Sequence, residues 1–327
     1  MNLRTTILYF SLLIILGSCQ KDIDIFTPTN TVGVDTNWVS TITSGSLCGQ
    51  LKTSLVKEPV PDSIESTLGG TITTPEGLSL IIAPAIFQKS NGVPVLSGKI
   101  FFETMLIKNR GDMVRMNRPT TSFGRMLISG GEIFIKAMKD GDELQLIPGK
   151  RIYIKYPDAS ASSQMRLFTG DESNPDQFNW IQSPDSSAVG ISTQGGLGYQ
   201  LSSSSLRWIN CDYFGDSSGQ RVNVTASLPI DCTNGNTTVF LVFKDLKCVM
   251  GMYGNMNTKK FSSPKVPVGK NAIVVAITKK ANNSYFLSNE TIVTGSVGSG
   301  GVNSVHTVPL SPHPMSLNDI KAYLATL

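Results

Sequence analysis

The tightest constraint on this chain is a pair of alternating apolar runs joined by Asp140-Gly141. Gly130-Gly131-Glu132-Ile133-Phe134-Ile135-Lys136-Ala137 leads into the dipeptide, and Glu143-Leu144-Gln145-Leu146-Ile147-Pro148-Gly149 leads out of it. Alternation at a period of two places successive side chains on opposite faces of an extended backbone. A tight hairpin turn needs positive φ at both central residues, which Asp-Gly accepts. The segment is therefore predicted to be a β-hairpin.

The same signals recur on both sides. Leu68-Gly69-Gly70-Thr71-Ile72-Thr73-Thr74-Pro75-Glu76-Gly77-Leu78-Ser79-Leu80-Ile81-Ile82-Ala83-Pro84 reads as strand, Pro/Gly turn, strand. Lys99-Ile100-Phe101-Phe102-Glu103-Thr104-Met105-Leu106-Ile107 and Lys150-Arg151-Ile152-Tyr153-Ile154-Lys155-Tyr156-Pro157 are further strands. Strands at this spacing indicate a β-sandwich. Glu58-Pro59-Val60-Pro61-Asp62 is expected to interrupt any strand, because proline donates nothing to a ladder. The folded part is expected to begin near Trp38.

At 327 residues the chain has room for about two domains of roughly 150 residues each. Gly170-Asp171-Glu172-Ser173-Asn174-Pro175-Asp176 is the predicted boundary, being polar and turn-forming. Its carboxylates Asp171, Glu172 and Asp176 lack the glycine-centred spacing of a calcium loop, which favours a linker over a cation site. Beyond it, Leu197-Gly198-Tyr199-Gln200-Leu201, Arg221-Val222-Asn223-Val224-Thr225-Ala226-Ser227-Leu228, Thr237-Thr238-Val239-Phe240-Leu241-Val242-Phe243, Ala272-Ile273-Val274-Val275-Ala276-Ile277 and Ser284-Tyr285-Phe286-Leu287 are predicted strands. Ser316-Leu317-Asn318-Asp319-Ile320 opens a predicted helix with a capping signal, and Leu317, Ile320, Tyr323, Leu324 and Leu327 form its apolar stripe. The expected fold is all-β: two β-sandwich domains in tandem, residues 37–170 and 177–327, the second ending in a short helix.

Two resemblances bear on the first and second halves. Gly69-Gly70, the turn from Pro75 to Gly77 and Leu80-Ile81-Ile82-Ala83-Pro84-Ala85-Ile86-Phe87 are similar to the opening of the β-sandwich of ankyrins and netrin receptors, the ZU-five domain. Some of that domain's relatives cleave themselves at a His-Phe-Ser step. This chain has none, and its histidines are His306 and His313, so that route is disfavoured. Leu206-Arg207-Trp208-Ile209-Asn210-Cys211-Asp212-Tyr213-Phe214 resembles a Gly-Trp-Ile-Asn-x-Asp segment of Bacteroidota surface lipoproteins, with Arg207 in place of the glycine. Trp208 and Tyr213 are candidate stacking residues for a sugar, while the alternative for Trp208 is a core anchor, as large aromatics dominate sandwich cores.

The amino terminus points to an address. Arg4 is followed by an apolar run from Ile7 to Leu16 and then Leu16-Gly17-Ser18-Cys19. Such a run is shorter than the roughly 20 residues a spanning helix needs and suits a signal peptide. The ending resembles a bacterial lipobox, which implies cleavage after residue 18 and acylation of Cys19. Gln20-Lys21-Asp22-Ile23-Asp24 resembles the acidic tract that follows the lipid cysteine in Bacteroidota surface lipoproteins. The expectation is a lipid-anchored outer-membrane protein facing outward, with the periplasmic face as the alternative. Residues 19–36 would then be anchor and polar tether.

Four cysteines remain: Cys48, Cys211, Cys232 and Cys248. In an oxidising compartment they could pair in three ways. If all pair, Cys48 must be bridged to the second half. A single pair within that half, with two buried thiols left over, is the other reading. No Cys or His spacing reads as a zinc site, so no metal and no cofactor is expected.

The charged fraction is 16% and the net charge +4, with no basic block, so nucleic acid is not an expected partner. Gly298-Ser299-Gly300 lacks the five-residue pattern of a serine-hydrolase elbow. No catalytic residue is assigned, although a distant carboxylate pair remains compatible with a glycosidase. Asp62-Ser63-Ile64 resembles the three-residue O-glycosylation motif of these bacteria. The functional expectation is a non-enzymatic envelope protein, bound to the membrane through the lipid on Cys19 and acting on an unidentified protein or glycan in binding, adhesion or assembly. A surface glycan hydrolase, or another extracellular hydrolase, is the rival.

Overall fold

A computed structural model of the chain describes residues 36–174, 176–193, 196–215, 219–295 and 305–327. The expected signal, Cys19, nearly all of the tether and the Gly298-Ser299-Gly300 stretch lie outside them. In chain order come helix α1 (Leu47–Leu55), strands β1 (Val60–Glu65), β2 (Gly70–Thr73), β3 (Ser79–Ile82), β4 (Phe87–Lys89) and β5 (Lys99–Ile107), helix α2 (Arg110–Arg115), and strands β6 (Thr121–Ser122), β7 (Arg125–Lys139), β8 (Asp142–Leu146), β9 (Ile152–Pro157), β10 (Arg166–Asp171), β11 (Asn179–Gln182), β12 (Val189–Ser192), β13 (Gly198–Ser203) and β14 (Arg207–Phe214). Then follow β15 (Arg221–Ser227), β16 (Thr237–Phe243), β17 (Val249–Asn255), β18 (Lys260–Ser262), β19 (Val266–Pro267), β20 (Asn271–Lys279), β21 (Tyr285–Val293), β22 (Val305–Pro309), β23 (His313–Pro314) and helix α3 (Leu317–Ala325). The fold is all-β with short helices.

The hairpin that the sequence marks most strongly is present. Asp140 and Gly141 take φ of 52° and 88°, and β8 returns against β7 at Met138 opposite Glu143. The first sheet runs β1-β5-β7-β14-β10-β11, and the second β12-β13-β9-β3-β2. Between them lies one core: Ile133 and Ile135 of β7 and Ile209 of β14 face Leu80, Ile154 and Leu201 of the second sheet. These two sheets are the first sandwich.

It reaches further along the chain than expected. Asp171 to Asp176 joins β10 to β11, which pair with each other, and β14 lies between β7 and β10. The change of sheet therefore comes after Phe214, not in the polar segment that reads as a domain boundary. Polarity there reflects a surface turn between paired strands rather than a linker.

Strands β15 to β23 form one nine-stranded sheet, β19-β15-β18-β17-β16-β20-β21-β23, with β22 parallel to β15. Val224 of β15 and Ile292 of β21 share one core with Leu241, Met250 and Val274, so the sheet curls over on itself. A separate second sheet is not needed to cover it.

A third core joins the halves. Phe168 and Trp208 of the first sheet pack with Phe240 and Val242 of β16 and Val275 and Ile277 of β20. Leu51 and Leu55 of α1, Met113 and Val114 of α2, and Ile320 and Leu324 of α3 complete it. Every residue of β16 is buried, because Val239, Leu241 and Phe243 face the curled core while Phe240 and Val242 face the shared one. That is why Thr237 to Phe243 reads as a continuous apolar run instead of an alternating one.

The helices end as local chemistry dictates. Ser46 accepts from the Gly49 N–H at the start of α1, and Ser316 accepts from the Asp319 N–H at the start of α3. Gly111 in α2 lies so close to the Leu324 carbonyl of α3 that any side chain would overlap it. One expectation is overturned here. Pro61 does not interrupt a strand; it sits within β1 opposite Glu103. The strand tolerates it because β1 is an edge, where a missing N–H leaves no inner ladder broken.

Because β16 has no solvent face, Phe240→Ala and Leu241→Ala are each expected to cost about 3–5 and 2–5 kcal/mol respectively. Gln200→Ala, on the exposed face of β13, should stay within about 0.5 kcal/mol of the parent. Urea unfolding of the three variants checks this, and a small loss at either β16 position would contradict double-sided burial.

Candidate functional site

The residues singled out by sequence fall into two groups, those in the core and those bound to protein partners. Trp208 is 3% exposed and packs its ring 5.0 Å from Phe134 and 6.3 Å from Phe178. The Arg118 guanidinium lies 4.6 Å from the same ring and 4.3 Å from Phe178. No ring face of Trp208 is open to a sugar, so the core-anchor alternative holds and the stacking assignment does not. Tyr213 is half-buried against the first core and forms no platform with it.

Cys48, Cys211, Cys232 and Cys248 are buried and free, which corrects the expected disulfides. Each is held in its own surroundings. Cys211 packs in the first core and Cys248 in the curled one, while the Cys48 thiol reaches the Thr237 carbonyl at 3.6 Å and Cys232 accepts from Thr278 at 3.8 Å. Burial pushes all four thiols up, Cys248 to about 12, so thiolate chemistry is suppressed.

The three carboxylates near residue 171 do not converge. Asp171 accepts from the Ser173 N–H, Glu172 from Arg118 and Arg207, and Asp176 from the Ile42 N–H. His306 and His313 lie on separate strands, β22 and β23, which pair with β15 and β21. Ser63 is on the edge strand β1, opposite Phe101.

A groove of about 550 Å³ lies between β8 and the β13–β14 connection. It arises because β8 pairs with β7 only at Asp142 and Glu143, then turns to pair with β4 from Leu144 to Leu146. Ser204, Ser205 and Leu206 form the opposite wall, and Ser90, Asp142 and Gln145 add polar lining. Arg207 spans the mouth. Its Nη1 donates to both oxygens of Glu143 at 2.8 and 3.0 Å, and its Nε donates to Glu172 Oε2 at 2.7 Å.

Arg207 also carries backbone strain, with φ of 64° in the left-handed region. A side chain in that region costs about 1–2 kcal/mol that a glycine would avoid. The remainder of the 206–214 segment is structural. Ile209 packs in the first core, Trp208 in the shared one, and Asn210 and Asp212 enter a buried polar cluster.

That cluster was not legible from sequence. Glu132 of β7 and Asp212 of β14 are both fully buried on the face of the first sheet that the second half covers. Asn210 donates to Asp212 Oδ2 at 2.7 Å and accepts from Ser129 at 3.2 Å. Both Glu132 oxygens and Asp212 Oδ1 have no hydrogen-bond partner among the described residues. A bulge at Gly130 creates the geometry, shifting the β7–β14 register between Cys211 and Asp212. Gly130 must be small there, with a Cβ position only 3.0 Å from the Cys211 carbonyl and the Tyr199 ring.

Burial raises both carboxyls well above their usual range, and for Glu132 the Asp212 charge adds to the rise while Arg118 opposes it. Both carboxyls are sealed from solvent, out of reach of a substrate. No group of three or more His, Cys, Asp and Glu side chains suited to a metal occurs among the described residues.

A carboxyl whose folded pKa is raised contributes fully below its unfolded value of about 4. Its contribution is withdrawn as pH climbs from there towards the folded value. Asp158 and Asp231, held below their usual values, contribute in the opposite sense. The difference between variant and parent isolates the buried pair. Glu132→Gln should gain stability relative to the parent as pH rises above about 4.5, by up to about 1.4 kcal/mol per pH unit, until the folded carboxyl ionises. Parallel urea-midpoint curves across that range would refute the assignment.

No protein-family model matches this chain, and no curated protein matches it.

Proposed function

We propose that the chain is a lipid-anchored envelope protein with a binding, adhesive or structural role at the outer membrane. The anchor rests on the Leu16-Gly17-Ser18-Cys19 ending, and the outward-facing address on Gln20-Lys21-Asp22-Ile23-Asp24. The observation that carries the binding role is Arg207. A strained backbone at the mouth of an open groove, holding two carboxylates at once, is costly for folding and well suited to presenting a rigid polar surface.

The groove offers hydroxyls from Ser90, Ser204 and Ser205, the Gln145 amide and the Arg207–Glu143 pair. That lining favours a polar, hydrogen-bonding ligand, such as a glycan or a hydrophilic protein segment. A glycoside hydrolase of the usual type needs two carboxyls about 5–9.5 Å apart with access to substrate and one free to carry a proton. Glu143 and Glu172 are both committed to Arg207, and Glu132 and Asp212 are sealed. These placements support binding over glycoside hydrolysis by a carboxyl pair.

Arg207→Gly separates the two demands on this residue. Removing the strain offsets the loss of exposed ion pairs worth about 0–1 kcal/mol each, so the urea midpoint should hardly move. On a glycan and protein array, the soluble chain without residues 1–18 and with Cys19→Ala should find a ligand. Arg207→Gly should weaken that ligand about tenfold or more, as loss of charge-assisted hydrogen bonds does. An array without ligands, or a ligand indifferent to Arg207, would remove the binding reading. Radiolabelled palmitate should enter the parent but not the Cys19→Ala chain, and equal labelling would remove the anchor.

A further inference from the structure

A second concavity, away from the groove, carries excess positive charge. It measures about 340 Å³ and is lined by Lys108, Asn109 and Arg110, by Lys244 to Lys247 and by Leu327. Two elements from different halves build it: the segment that follows β5 and opens α2, and the turn between β16 and β17. Leu327, beyond α3, closes a third side.

Its cations are positioned, not merely clustered. Arg110 Nη1 donates to the carbonyls of Phe243, Lys244 and Leu246, which pins the guanidinium to the turn. Arg110 Nε and Nη2 make no hydrogen bond among the described residues, so part of the planar fork stays available. Lys108 donates to the Pro157 carbonyl at 2.6 Å, and Lys247 to Asp158 Oδ2 at 3.4 Å. Lys244, exposed on the turn, has no side-chain partner among the described residues. Against these four cations stand Asp245, whose Oδ2 accepts from Asn271 at 2.8 Å, Asp158, which is buried behind Lys108 and Lys247, and the α-carboxylate of Leu327, which leaves an excess of one positive charge.

The geometry points to a binding site for a phosphoryl group. A tetrahedral oxyanion offers several acceptors to a guanidinium fork and flanking ammoniums, and its charge matches the local excess. The volume is larger than an isolated phosphate requires and is in the range of small-ligand pockets, so the group is presented on a larger molecule. A phosphorylated sugar and a lipid headgroup share this chemistry. Because its walls come from both halves, occupancy ties β5 and α2 to the β16–β17 turn and stabilises the folded chain as a whole. The site shares no residue with the groove, so neither reading depends on the other.

Titration calorimetry and thermal unfolding of the soluble chain test it with three probes. These are inorganic phosphate, glucose 6-phosphate, and phosphatidylcholine vesicles with and without phosphatidic acid, each against sodium chloride at matched ionic strength. At least one phosphoryl probe should bind and raise the melting temperature beyond the chloride control. Lys244→Glu, at a side chain with no partner to lose, should keep the parent melting temperature in chloride and weaken binding tenfold or more. Binding confined to phosphatidic acid vesicles would identify a membrane source, and binding of the sugar phosphate a soluble one. No shift beyond chloride with any probe, or equal affinity in Lys244→Glu, would overturn the site.

Discussion

The structure depends on burial of both faces of the first sheet. One face packs on the second sheet to make the first sandwich, and the other packs on the curled sheet and three helices. Neither half can hide this second face alone. Phe168 and Trp208 on one side and Phe240, Val275 and Ile277 on the other would otherwise meet water, and each large side chain is worth about 1.5–3 kcal/mol when buried. Residues 35–327 accordingly form one compact unit despite having the length of two domains. Backbone hydrogen bonds reinforce the junction, from the Ser129 N–H to the Lys247 carbonyl and from the Thr120 N–H to the Val249 carbonyl.

Polar groups trapped in that junction have a different meaning from those at its rim. Glu132 and Asp212 lie where water is excluded, and the cheapest way to keep them there is to keep them protonated. The Gly130 bulge that aims Asp212 also brings the Tyr199 ring against the backbone, so strand irregularity and the polar inclusion arise together. At the rim, charges remain ionised and paired. Arg207 bridges two carboxylates, and Lys108 and Lys247 share Asp158. Both concavities on which the functional readings rest occur at such places, where a strand leaves its sheet or two halves meet.

Strand departures explain the groove as directly as burial explains the core. β7 offers one edge to both β8 and β14, and they divide it: β14 pairs as far as Ile135, while β8 pairs at Met138 and Lys139. The rest of β8 must go elsewhere, and it pairs with β4. The opening this leaves is spanned by the residue at the start of β14. That residue is Arg207, which holds its charge in place at the expense of an unfavourable backbone conformation.

The sequence by itself determined the all-β class, the Asp140-Gly141 hairpin and strands such as β5, β9, β13, β15, β16 and β20, because a period of two and turn chemistry are local properties, whereas β10, β14 and β17 did not read as strands. It likewise determined the terminal helix, since Ser316 and the stripe through Ile320 and Leu324 are local signals. Helix α1 escaped notice, its cap at Ser46 lying in a stretch with little periodicity. Only the tertiary structure decided which strands share a sheet: β14 pairs across about eighty residues with β7, and no local pattern encodes a partner at that distance. It alone decided that Trp208 is core, that four thiols remain separate, and that Glu132 and Asp212 are both buried. A carboxylate in an alternating strand reads as solvent-facing, and only the second half, folded over that face, makes it buried.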